Sequence, residues 1–173
     1  MYKQGRRIRN DANTTYNVIN VAGTSNKYEQ VLQDIPTHVT PGCALIPYQG
    51  TPTSATSGYD GAMGFVTTPK TPITGNVKVR VLDIGGVSGL AITDEFEELD
   101  QVPTLSNESG AHWNVRIAST ETVVEGQFLT ITTNGSGLFT ATGATAANAV
   151  GIACEPLVVT DTSWPSYIKM EVL

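Results

Sequence analysis

The sequence predicts an all-β protein: a small β-barrel or sandwich built from two related β units, with an extended N-terminal arm and one short helix. Three observations point there. Several short runs alternate apolar with polar residues, among them NVKVRVLDI (76–84) and HWNVRIAST (112–120), and a period of two puts the apolar set on one face of a strand. Charged residues make up 15% of the 173-residue chain, and its polar character comes from Thr, Gly, Ser and Asn instead, a flavour that suits strands and tight turns. Finally, two phrases echo each other: VSGLAITDEF (87–96) and AVGIACEPL (149–157).

Residues 1–24 carry no clear apolar period and read as an extended arm. Lys3, Arg6, Arg7 and Arg9 place four of the ten basic residues in the first nine positions. YNVINV (16–21) has the composition of a strand, so the arm, including Tyr16, is a candidate for strand addition to a neighbour, with its cations on an acidic surface. In SNKYEQVLQDIP (25–36), Tyr28, Val31, Leu32 and Ile35 share one face at helical spacing. Asn26 and Glu29 fit a capping box and Pro36 stops the run, which predicts a short helix.

From 37 to 173 the pattern is that of a single β domain. Its strand candidates include THVTPGCALIPY (37–48), GAMGFVTTP (61–69), NVKVRVLDI, HWNVRIAST, QFLTITT (127–133), GLFTAT (137–142), AVGIACEPL and YIKMEVL (167–173). In NVKVRVLDI, Val77, Val79 and Val81 face inward, and Lys78, Arg80 and Leu82 form the wetter face. A Thr/Ser/Gly/Pro-rich stretch near 48–75 reads as a long surface loop.

The echo extends upstream. TPGCALIPY (40–48) and VEGQFLTIT (124–132) each run from a Gly turn into a short apolar strand. Gly42, Gly89, Gly126 and Gly151 are the expected structural turns or sites of close backbone approach. With VVEGQFLTI, NGSGLFTATGATAANAVGIACEPL and YIKMEVL quoted together, the chain resembles the capsid decoration, or cement, proteins of tailed bacteriophages. Residues 124–173 match that grammar best, and 40–45 with 86–94 look like a first copy. The chain departs from the pattern at Gln127, where an acidic residue is common, and in its arm, helix and long loop.

The remaining residues offer little chemistry. His38 and His112 are the two histidines, and no HExxH, CxxC, GxSxG, P-loop or dinucleotide fingerprint occurs. The sequence therefore signals no catalytic residue, no cofactor and no metal site. Cys43 and Cys154 read as buried free thiols. DEFEELD (94–100) lacks the spacing of a calcium loop and reads as a solvated acidic edge that could dock a basic arm. Trp113 belongs in a core by its alternation, and Trp164 is the better surface candidate. A net charge of −6 argues against a nucleic-acid partner. With no apolar run long enough to span a bilayer and no leader pattern, the chain is expected to need no membrane and to be made in the host cytoplasm.

The resemblance implies a structural protein on the outer surface of a virion. Its partners would be the major capsid protein and copies of itself, as a homotrimer bridging neighbouring capsomers and stabilising the head. The alternative is a carbohydrate-binding or fibre-like β module.

Overall fold

The computed structural model describes residues 19–23, 27–32, 39–47, 64–66, 79–83, 95–97, 100–106, 108–132, 136–159 and 166–173. Among them every regular element is a strand. In chain order these are β1 (Asn20–Ala22), β2 (Lys27–Leu32), β3 (Ala44–Pro47), β4 (Gly64–Val66), β5 (Arg80–Leu82), β6 (Gln101–Ser106) and β7 (His112–Ile117). There follow β8 (Thr122–Val123), β9 (Phe128–Ile131), β10 (Phe139–Thr140), β11 (Gly151–Ala153), β12 (Leu157–Val158) and β13 (Ser166–Val172).

The strands close two successive barrels with the same topology. In the first, β2, β4, β3, β5 and β6 form a ring. β2 runs parallel to β4 and antiparallel to β6. The other three pairings are antiparallel. The second ring, β7-β10-β9-β11-β13, repeats this pattern, with β7 parallel to β10 and antiparallel to β13. Its remaining neighbours are also antiparallel.

The repetition holds at the level of single residues. Pro47 faces Phe65 in the first barrel, as Ile131 faces Phe139 in the second. Ala44 faces Val81 as Phe128 faces Ile152, and Leu105 faces Val81 as Glu171 faces Ile152. The turn before the second strand recurs too. Gly42 and Gly126 have φ of 87° and 81°. Gly42 N donates to Leu82 O at 2.9 Å, and Gly126 N to Ala153 O at 2.8 Å. Leu82 N returns a bond to Cys43 O, and Ala153 N to Gln127 O. Even the Val39–Phe96 bridge has its counterpart in the β8–β12 pair, where Val123 faces Leu157. Two related β units were expected from the sequence, and residues 40–47 and 124–131 do align position for position.

The echo that suggested the duplication is only partly in register. Its ends coincide, because Phe96 and Leu157 occupy equivalent bridges in the two units. Its strand does not: the counterpart of β11 in the first unit is β5, not the Gly89 stretch. Thirteen positions separate Asp83 from Phe96 and three separate Cys154 from Leu157. The first unit thus carries a ten-residue insertion that holds most of VSGLAITDEF. Gly89 lies outside the described residues.

Two further expectations need correction. The predicted helix at 25–36 is replaced, over its described residues, by strand β2. Five successive β2 residues pair with β6, so the barrel's backbone bonding overrides a helical spacing of four apolar side chains. The long loop expected near 48–75 is interrupted by β4, which falls in the strand candidate GAMGFVTTP and which the first barrel needs for closure. From the arm, residues 19–23 are described. Ile19 is fully buried and β1 pairs with β7 of the same chain, so this part belongs to the folded body.

The two barrels differ in what their outer faces do. Leu32, Val39, Leu45, Leu82 and Val102, with Phe96 against them, form the first barrel's own core. On the alternate positions, Ala44, Ile46, Val79, Val81 and Leu105 join a second cluster that also holds Trp113, Leu129, Phe139 and Ile168. β5 is therefore apolar on both faces, and Leu82 is as buried as Val81, against the wetter face expected for it. The outward side of the first barrel is a packing surface for the second.

The joint between them is built around the Gly42 turn. Arg116 N donates to Gly42 O at 3.0 Å, and Ala44 N to Gly137 O at 2.7 Å. Tyr167 Oη donates to Pro41 O at 2.8 Å in a buried setting, and Arg116 Nη1 donates to Thr40 Oγ1 at 2.7 Å. A Cβ on Gly42 would lie 2.6 Å from the Tyr167 ring, whereas one on Gly126 would meet nothing within 4 Å. Gly151 is needed for a different reason: a Cβ there would run into Glu171 O and the Met170 side chain.

Two predictions follow from the joint. Gly126→Ala is expected to cost about 1–2 kcal/mol for placing an L-residue in the left-handed region. Gly42→Ala should cost a further 1–3 kcal/mol, roughly, for overpacking against Tyr167 and β7. Urea unfolding of both variants checks this, and equal losses would remove the steric account of the joint. Tyr167→Phe leaves the buried Pro41 carbonyl without that donor and is expected to lose about 1–2 kcal/mol in the same assay.

Candidate interaction surfaces

The residues nominated from sequence divide into three groups. Lys3, Arg6, Arg7, Arg9 and Tyr16 lie outside the described residues. Gly42, Gly126 and Gly151 sit at the turns and the close approach described above. The acidic stretch is described at Glu95–Glu97 and Asp100. Glu95, Glu97 and Asp100 are exposed, and Phe96 between them packs on the first barrel's core. Glu97 N donates to Asp100 Oδ2 at 2.8 Å, which ties these two exposed acidic residues together. An anchored aromatic thus presents an acidic edge to solvent.

The second barrel offers apolar surface elsewhere. Val124 and Val158 are 61% and 53% exposed on the outward side of the β8–β12 ribbon. Val123 and Leu157, which face each other across it, are buried inward. Val21, on β1, is also exposed. Trp113 is fully buried, as its alternation predicted, and so contributes to packing rather than to an exposed aromatic platform. Trp164 lies outside the described residues.

A third feature is chemical and was missed in the sequence. On the outward side of β7, β11 and β13, His112, Cys154 and Glu171 offer one donor atom each, all within 4.8 Å of one another. His112 and Glu171 face each other across the β7–β13 pair, with Nε2 and Oε2 3.7 Å apart. Cys154 follows β11 directly, and its backbone N donates to Lys169 O on β13 at 2.8 Å. Burial pushes the Cys154 thiol above its ordinary pKa, while the positive charge of Lys169 opposes that rise. Both cysteines are free, Cys43 buried and Cys154 half-buried.

No family model matches the chain, and no curated protein matches it in sequence. A solved structure does match in fold: the head fiber gp8.5 N base of bacteriophage phi29. The likeness covers 87% of this chain and 95% of that one, with a TM-score of 0.50 and 11% identity. At that identity the likeness is one of architecture, and the chain shares the fold of a phage head fiber base.

Proposed function

We propose that the chain is a structural protein of a bacteriophage virion, placed on the outside of the head and bound to the assembled shell of major capsid protein. The observation that carries this reading is the fold likeness to a head fiber base, which extends over nearly the whole of both chains. The sequence resemblance to capsid decoration proteins, read independently, leads to the same setting. Two barrels sharing one apolar cluster make a stiff body, which suits a mechanical role. Its task would be to bridge neighbouring capsomers and stabilise the head, as a homotrimer assembled after synthesis in the host cytoplasm. Repetition of a modest contact over a symmetric lattice would raise the overall attachment strength.

In this reading the basic arm supplies the attachment. Residues 19–22 must stay in any truncation, because Ile19 is buried and β1 pairs with β7. Deleting residues 1–17 should leave the circular dichroism and melting temperature nearly unchanged. Cosedimentation with purified heads lacking the protein should weaken at least tenfold. If Lys3, Arg6, Arg7 and Arg9 act through charge, attachment of the full chain should also weaken steadily as salt is raised. Undiminished binding by the truncated chain would remove the arm from the mechanism. Failure of the full chain to bind heads at all would overturn the proposed function.

A further inference from the structure

The His112–Cys154–Glu171 cluster is the feature that neither the fold nor the proposed virion role requires. The duplication provides an internal control. In the first barrel the equivalent positions are Lys27, Asp83 and Leu105, fixed by the matching registers of β2–β6 with β7–β13 and of β5–β6 with β11–β13. That set could not hold a metal together, so the fold does not impose such a cluster at this place. The second barrel has one imidazole, one thiol and one carboxylate there, drawn from β7, from the residue that follows β11, and from β13.

We propose that these three side chains form a zinc site. The donor set is mixed nitrogen, sulfur and oxygen, which suits a borderline ion such as Zn2+ and disfavours the hard cations Mg2+ and Ca2+. The His112–Glu171 separation of 3.7 Å already matches ligands around a tetrahedral zinc ion, for which bonds of about 2.0–2.3 Å place donors roughly 3.3–3.8 Å apart. The other separations, within 4.8 Å, close through modest side-chain rotation. The backbone beneath is held by the His112–Glu171 pairing of β7 with β13 and by the bond from Cys154 N to Lys169 O. As the ion binds, the Cys154 S–H bond breaks, the sulfur keeps the electron pair for zinc, and the proton leaves to solvent. Three protein ligands leave a fourth position for water. The half-exposed setting, with Glu171 about 51% accessible, gives the ion a path in.

The test uses the full chain and cobalt as a spectroscopic stand-in for zinc. Titration with Co2+ should give one equivalent bound per chain, with visible bands of tetrahedral intensity and a near-ultraviolet thiolate-to-cobalt charge-transfer band. Added Zn2+ should bleach both. Cys154→Ser should abolish the charge-transfer band, and His112→Ala and Glu171→Gln should each weaken Zn2+ binding at least tenfold by calorimetry. Cys43→Ser should change nothing, since Cys43 lies in the first barrel's buried turn. Absence of the charge-transfer band in the wild-type chain overturns the proposal, as does its persistence in Cys154→Ser. Glu171→Gln alters an exposed side chain, so it keeps the test decisive if a change at Cys154 disturbs folding. No arm of the experiment involves heads, so its outcome is independent of the virion role.

Discussion

The joint at Gly42 is the constraint on which the relation between the barrels depends. The turn passes so close to β7 and to the Tyr167 ring that a side chain cannot be added. That proximity lets the Gly42 and Pro41 carbonyls accept from Arg116 N and Tyr167 Oη, so a buried turn leaves these polar groups paired. The same turn starts β3, whose outward Ala44 and Ile46 sit in the shared cluster. The conformation at one residue thus sets strand entry in the first barrel and its packing on the second. At the equivalent Gly126 the left-handed φ is retained while the surroundings are open. The turn belongs to the unit, and the close approach belongs to the pairing of units.

The duplication separates what the barrel needs from what its surface is free to change. Positions facing the inside keep their character: Leu32 with Ile117, Val39 with Val123, Leu45 with Leu129, Val102 with Ile168, all buried. Ladder geometry fixes which residues face one another, and the enclosed volume demands apolar side chains there. Outward positions obey no such rule. Leu105 in one unit corresponds to Glu171 in the other, and Asp83 to Cys154. The first unit uses its outer face for packing, and this leaves the second unit's outer face available to carry donors.

The same distinction explains what could be read from the sequence. The all-β class, the two related units and the Gly-turn-strand phrase were legible because they rest on local alternation and on short matching words. Burial of Trp113 was legible from its alternation with Val115 and Ile117. The helix was misread because Tyr28, Val31 and Leu32 fit a helical face by spacing alone, while the deciding bonds come from β6, some seventy residues away. The register of the echo was misread because Gly, Ala and aliphatic residues are interchangeable as words but not as ladder partners. The donor cluster was illegible for a geometric reason. Its members stand at 112 in β7, 154 just after β11 and 171 in β13, and only barrel closure brings them together.

Sharing an architecture with a head fiber base at 11% identity fits this picture of constraint. A closed five-stranded barrel asks for a buried apolar set, a permissive residue at its tight turn and a complete ladder, and many sequences meet those demands. Two such barrels locked at a turn give a body whose strand edges are largely taken up by ring closure, which limits uncontrolled edge pairing. A protein in the proposed role, repeated over a shell, would need that restraint. Its specific contacts would then come from features outside the rings, such as the exposed β8–β12 ribbon and the outward donors of the second barrel. These are the positions at which two proteins of this fold can differ most in sequence while keeping the same shape.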